Sequence, residues 1–483
     1  MRNHHISPWL LLAGLSVGCA DALPDEPSSP ALTQEAAPAR LQDGRVFTVD
    51  ESRLPFEALP GAPEADRYWG VLPGPASYRV EVPKNWNGVL VLYAHGYAGT
   101  GPALNVGAPS IRAHLLAKGY AWAASSYSKN YYDVRAGVED TNALALAFND
   151  ITEKNGRKLD PPKKRYIIGH SMGGHVAGAA VEREAEATAK NKVHYAAALP
   201  MCGVMGDVAL FDYFGAYQVA AQHIAGPKVT SWPVTNWATE VREPLKQRLW
   251  EVFPSKTTAL GDQLRPVVAE LSGGARPLFD TGFANLGVQS SPWNSSFGGD
   301  GTIAGILTKQ AMDTRDVVYQ LDADRGQSAA EQELNRSIFR LTRDADANPL
   351  QPDGVRWIPA VNGEFDVPVV TLHTLGDLFV PLKMQQIYRE RATAKGSVDK
   401  LVQRVIRGVG HCEFTLAEQA SAFDALVAWE ERGEKPKGDE ILDPKVVAAP
   451  DYGCAFTDNT FTPDETARGL ATTRGANPAC PQR

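Results

Sequence analysis

The chain has 483 residues and carries 48 lysines and arginines against 56 aspartates and glutamates, a net charge of -8. That balance argues against a nucleic-acid partner, which needs a basic face. Ordinary apolar (43%) and charged (22%) fractions exclude a wholly disordered chain or a membrane-embedded body.

Arg2, the apolar run at 9–17 and the small residues Gly18, Cys19 and Ala20 have the three parts of an export signal, within 1–20, and the run is too short to span a bilayer. The mature protein is expected outside the cytoplasm, whether secreted, periplasmic or lipid-anchored at the cell surface. Leu15, Ser16, Val17, Gly18 and Cys19 fit a bacterial lipoprotein signal with the leucine one position early, which makes Cys19 a lipidation candidate. Cleavage after Ala20 or Ala22 fits equally well. Residues 21–45, rich in Pro, Ala, Ser and Glu without periodicity, read as a flexible linker.

From 46 to 203 the pattern is that of a folded core. Strands are expected at 78–82, 88–96 and 120–128, with helices at 109–118 and 141–155, before Asp160, Pro161 and Pro162 break the chain. The segment 165–182, RYIIGHSMGGHVAGAAVE, reads as strand, sharp turn and helix, and 194–203 as a further strand. This alternation implies an α/β architecture, a mostly parallel central sheet flanked by helices.

Residues 204–364 interrupt the pattern with helical stretches and a Gly/Ser/Pro-rich passage at 286–301. They are expected to form a large, mainly helical cap over the carboxyl ends of the strands. Trp232, Trp237, Trp250, Trp293 and Trp357 lie within it, and core packing is favoured over an aromatic cradle for substrate. Asp344, Asp346, Asn348 and Asp353 have a calcium-loop look, but Pro349 and Val355 occupy the positions where glycine and glutamate are needed, so a solvated acidic loop is favoured. Sheet-like sequence returns within 365–436, at 366–374 and 401–408. A last helix begins at Thr415, whose capping box with Glu418 precedes the apolar Phe423, Leu426 and Val427 and the stop at Gly433 and Pro436. The polar, turn-rich extension 437–483 is expected to drape over the surface.

With Cys19 removed or lipidated, Cys202, Cys412, Cys454 and Cys480 remain, and four cysteines allow three connectivities. Cys202 ends an apolar strand and Cys412 follows a candidate catalytic histidine, which puts both at one edge of the sheet. That favours Cys202 with Cys412 and leaves Cys454 with Cys480; buried free thiols are the alternative.

Gly169-x-Ser171-x-Gly173, between strand and helix, is the pattern of a nucleophile elbow, where the serine is held in a strained conformation and the glycines avoid collision with neighbouring backbone. Three more motifs accompany it: YAHGYAG after an early strand, LHTLGDLFVP after a late one, and GVGHCEF before the final helix. On these residues the chain resembles the α/β-hydrolase superfamily, over roughly 78–203 and 366–432, with Ser, Asp and His in the family's order.

The resemblance implies that Ser171 attacks a substrate carbonyl, His411 serves as base and then acid, and Asp377 orients His411. It implies an oxyanion hole built from the backbone N–H of Met172 and of Tyr97 in the HGYAG loop. His373, His170 and His175 read as packing or supporting residues, and Glu364 and Asp366 lie at the wrong end of their strand to serve as the acid. Tannases and feruloyl esterases bond a cysteine after the histidine to one before the serine. Here Cys412 follows His411 but His170 precedes Ser171, and Cys202 is placed to supply an analogous bond.

The resemblance thus implies an exported serine hydrolase, a capped esterase or lipase-like enzyme, cleaving small-molecule or polymeric carboxylic esters through an acyl-enzyme, with no cofactor and no metal. The alternatives are a peptidase of the prolyl-aminopeptidase kind with the same triad, and a non-catalytic surface binding protein that keeps the fold.

Overall fold

The computed structural model describes residues 40–324 and 326–481; the signal, Cys19 and the linker up to residue 39 lie outside the described residues. Arg40 and Gln42 are already buried, with the Gln42 amide donating to Asn130 O, so the chain packs on the body from the end of the linker onward.

In chain order the body begins with β1 (Ala65–Val71), β2 (Ser77–Pro83), β3 (Val89–Ala94), helix α1 (Arg112–Ala117) and β4 (Ala121–Ser125). Helix α2 (Val134–Lys154), β5 (Lys164–His170), α3 (Met172–Ala179) and β6 (Ala197–Met201) follow. After an insert containing α4 (Ala209–Ala225) and α5 (Ala259–Leu271), the chain returns through β7 (Val369–Thr374), α6 (Lys383–Lys395), β8 (Leu401–Ile406) and α7 (Leu416–Arg432).

These strands form an eight-stranded sheet in the order β8-β7-β6-β5-β3-β4-β2-β1. It is parallel from β8 to β4, and β2 and β1 add an antiparallel edge. Because β3 pairs with β5 on one side and β4 on the other, the strand order reverses there, the switch point at which open α/β sheets bind ligands beyond their strands' carboxyl ends. The helices follow from the period-2 alternation of the strands. Leu90, Leu92 and Ala94 face α2 and α3, packing with Leu144, Phe148, Val176 and Ala177. Val89, Val91 and Tyr93 face α1 and α7, packing with Leu115, Leu116, Phe423 and Leu426. Both faces of β3 are therefore buried, as a continuous apolar run requires.

Thr415 caps α7 and its box with Glu418 is formed, while Gly433 closes the helix with φ 71°. Three elements differ from the sequence expectation. Helix α2 starts at Val134, earlier than the apolar period suggests, because Asp133 caps it and Gly137 inside it lets Val176 approach; a Cβ there would lie 2.5 Å from that side chain. Strand β1 and helix α6 were not anticipated: β1 is a partly exposed edge strand, and α6 buries only Met384, Gln385, Tyr388 and Ala392.

The insert has its own core, in which Tyr213, Tyr217, Trp237, Trp250, Trp293 and Phe297 pack together, continuous with Leu375, Leu378 and Val380 after β7. Trp237, Trp250 and Trp293 are thus packing residues, and Trp357 is half-buried beneath the guanidinium groups of Arg40 and Arg135. The extension beyond α7 contributes Ile441, Val447 and Tyr452 to the same core. Cys202 is bonded to Cys412 and Cys454 to Cys480, the favoured pairing.

Candidate active site

Ser171 stands between β5 and α3 with φ 57° and ψ -119°, a conformation that side chains seldom adopt. Packing enforces it. A Cβ on Gly169 would meet Gly173 O at 2.1 Å, and one on Gly173 would meet Ala94 O at 2.0 Å, so strand, turn and helix approach more closely than any other residue permits. Ser171 N donates to Met201 O at 2.9 Å, tying the turn to the end of β6.

His411 lies on the loop from β8 to α7 and Asp377 just beyond β7. The Ser171 hydroxyl is 2.7 Å from His411 Nε2, and His411 Nδ1 is 2.6 Å from Asp377 Oδ2. Asp377 is fully buried, and its other oxygen accepts from the backbone N–H of Phe379 (2.9 Å) and Val380 (3.1 Å). Burial pushes this carboxyl up, but His411 beside it and the Val380 amide outweigh burial and hold it below the ordinary aspartate value. The residues expected to form a triad are thus brought together as a hydrogen-bonded line of carboxylate, imidazole and hydroxyl.

Met172 N and Tyr97 N have no hydrogen-bond acceptor among the described residues. Met172 is the first residue of α3, where amides lack intrahelical partners. Gly96, which precedes Tyr97, packs against the elbow; a Cβ there would be 3.4 Å from Ser171 Cβ. Tyr97 as a residue is 45% exposed.

Three further histidines make no hydrogen bond to the relay. His175 is buried, accepting from Tyr132 O–H and donating to Pro359 O. His170 Nε2 meets Gln419 Oε1 at 3.0 Å, and burial pushes its imidazole down to about 4. His373 is fully buried behind the acid, its Nε2 without a partner among the described residues, and burial pushes it to about 4 as well.

The contacts that sequence reading missed come from the insert and from the loop after β7. Arg276 Nε donates to Leu375 O at 2.7 Å and Tyr213 O–H to Leu378 O at 3.0 Å, bracketing Asp377, and Phe379 stands edge-on to His411 with centroids 5.5 Å apart. Arg276 lies 99 positions from its acceptor, and no local pattern signals such a partner.

Among the described residues, the one cluster with metal-ligand spacing is Cys202, His411 and Cys412. Its sulfurs are bonded to each other and supply no thiolate. The acidic loop does not converge either, since Asp344 accepts from Gln310 N and Asp353 pairs with Arg135.

The strand order, the elbow after β5 and the order Ser, Asp, His along the chain are those of the α/β-hydrolase fold. No model of a known protein family matches the chain. An o-phthalyl amidase from Xanthobacter agilis is 24% identical over 409 residues, covering 76% of this chain and 88% of that protein. Among solved structures, feruloyl esterase B from Aspergillus oryzae is 13% identical with a TM-score of 0.44, covering 80% of this chain and 86% of that one. A rice cell wall degrading esterase from Xanthomonas oryzae is 19% identical with a TM-score of 0.32, covering 77% and 87%.

Proposed function

We propose that the chain is an exported serine hydrolase that cleaves carboxylic esters through an acyl-enzyme. The observation that carries this reading is the hydrogen-bonded line from Ser171 through His411 to Asp377, standing on the strained elbow. His411 takes the Ser171 proton on Nε2 as Oγ attacks the carbonyl, while Asp377 keeps the other proton on Nδ1 and stabilises the imidazolium. The oxyanion forms against Met172 N and Tyr97 N; losing one such donor typically costs about 10²- to 10³-fold in turnover. His411 then protonates the leaving group, and water repeats the attack on the acyl-serine.

A second reading, amide hydrolysis by the same residues, is favoured by the similarity to a protein described as an o-phthalyl amidase. A serine peptidase would be one form of it. In either reading the insert at 204–364 acts as a cap that sets specificity, since its helices meet the loop after β7. The two disulfides support a destination outside the cytoplasm, and among the described residues no helix is long and apolar enough to cross a membrane. Lipid anchoring through Cys19 belongs to the same proposal.

The test is covalent labelling by a fluorophosphonate probe, followed by a panel of acyl esters, aryl esters and aminoacyl or aroyl amides. Labelling that persists in Ser171→Ala refutes the nucleophile, and turnover of amides above esters selects the second reading.

A further inference from the structure

We infer that Arg474, in the C-terminal extension, is a positioning residue that holds the loop carrying His411 in register with Ser171 and Asp377. The inference rests on the serine-hydrolase reading and adds a part of the chain, 437–483, that the triad pattern does not include.

Arg474 sits in the short helix Leu470–Gly475 with its side chain 1% exposed. Its guanidinium grips two carboxylates of the histidine loop and of the helix that follows. Nη1 and Nη2 donate to Glu418 Oε1 (3.1 Å) and Oε2 (2.9 Å), a two-pronged contact. Nη2 also donates to the backbone carbonyl of Glu413. Nε lies 2.9 Å from Glu413 Oε1, close enough for an ion pair but not aligned for a hydrogen bond.

Both glutamates act on the backbone around His411. Glu413 Oε2 accepts from Gly410 N at 2.8 Å, the residue immediately before the histidine, and Gly410 O accepts from Thr374 Oγ1 at 3.0 Å. Glu418 Oε2 accepts from Thr415 N at 2.8 Å, which closes the start of α7, and Oε1 accepts from Asp458 N at 3.0 Å. The loop is thus held by one buried cation through two carboxylates, in addition to the Cys202–Cys412 bond. Burial pushes both glutamates up, and Arg474 opposes that push at each.

The rest of the extension supports the same grip. Glu465 Oε1 accepts from Leu416 N at 2.6 Å, Thr457 Oγ1 from Arg407 N at 2.9 Å, and Arg407 donates to the carbonyls of Pro450, Tyr452 and Pro478. Cys454 and Cys480 close this segment around Arg474. A lysine would keep the charge but reach one oxygen at a time, so it cannot hold both prongs of Glu418.

A buried ion pair is weak evidence for stability on balance, yet removing one partner destabilises by stranding the other. A purely structural role is therefore the competing account, and the experiment separates the two. In the full-length protein, Arg474→Lys, Arg474→Met and the double variant Arg474→Met/Glu418→Gln are compared with wild type, well below each variant's Tm. The readouts are Tm, kcat, KM and the rate of fluorophosphonate labelling of Ser171.

We expect kcat and labelling to fall together by about 10- to 100-fold in Arg474→Met, the scale of a displacement near 1 Å, with KM little changed and Arg474→Lys intermediate. The double variant, relieved of one stranded carboxylate, should regain Tm without regaining kcat. Wild-type labelling in folded Arg474→Met, or return of kcat along with Tm in the double variant, overturns the inference. If Arg474→Met does not fold, wild-type labelling in Arg474→Lys overturns it instead. A wild-type chain that takes no label at Ser171 refutes the hydrolase reading itself.

Discussion

Replacing Asp377 by asparagine tests the relay most directly, because the two side chains have nearly the same shape and the surroundings dictate how the amide must sit. One oxygen of Asp377 accepts from Phe379 N and Val380 N, so the amide oxygen of Asp377→Asn has to remain there; its NH₂ group would otherwise face two donors. The NH₂ then points at His411 Nδ1, where a carboxylate oxygen now lies at 2.6 Å. His411 must accept from it and carry its own proton on Nε2, facing Ser171 Oγ, where it can no longer take the serine's proton. The wrong tautomer costs about 10⁴-fold in kcat, or roughly 5 kcal/mol of barrier. KM should change little, since the defect lies in proton transfer. The assay is kcat and KM on an aryl ester, with circular dichroism to establish that the fold is kept. A folded variant losing no more than about tenfold in kcat, roughly 1.4 kcal/mol, would refute the assigned roles.

The Cys202–Cys412 bond spans 210 residues, and loop-closure entropy for that length amounts to about 5 kcal/mol as an upper figure. Cys202→Ser/Cys412→Ser should therefore lower the urea midpoint and, by releasing the residue next to His411, reduce kcat; an unchanged midpoint contradicts this. His373 provides a pH test. Burial depresses its imidazole from 6.5 to about 4 in the folded state, so it contributes stability above the unfolded value that is lost as pH falls through about 4, roughly 3 kcal/mol at ~1.4 per unit. Glu182, raised by burial to about 7, has the opposite sign. The comparison is accordingly between wild type and His373→Gln: the variant should lose less stability between pH 6.5 and 4, and parallel slopes exclude the assignment.

How much of the site could be read locally depends on how far apart the constraints lie. The elbow was legible because Gly169, Ser171 and Gly173 are constrained by backbone only a few residues away or on the adjoining strand, a requirement that glycine alone meets. The parallel strands were legible because both faces of β3 and β6 are covered, which demands unbroken apolar runs, and β5 keeps a short one in Tyr166, Ile167 and Ile168. Strand β1 escaped notice because an edge strand with Trp69 and Val71 partly in solvent needs no such run. The first turns of α2 escaped because Gly137, a poor helix former, is retained for packing against Val176.

By itself the sequence determined the alternation of buried strands and helices around the elbow, the serine at the turn, and an acid and a histidine at the right strand ends, since each is written in residues close along the chain. Only the tertiary structure decided that Arg276 and Tyr213 bracket Asp377, and that Arg474 reaches back to Glu413 and Glu418. These are buried polar groups satisfied by partners far away in the chain. Their energy depends on desolvation and geometry, which no periodicity or short motif records.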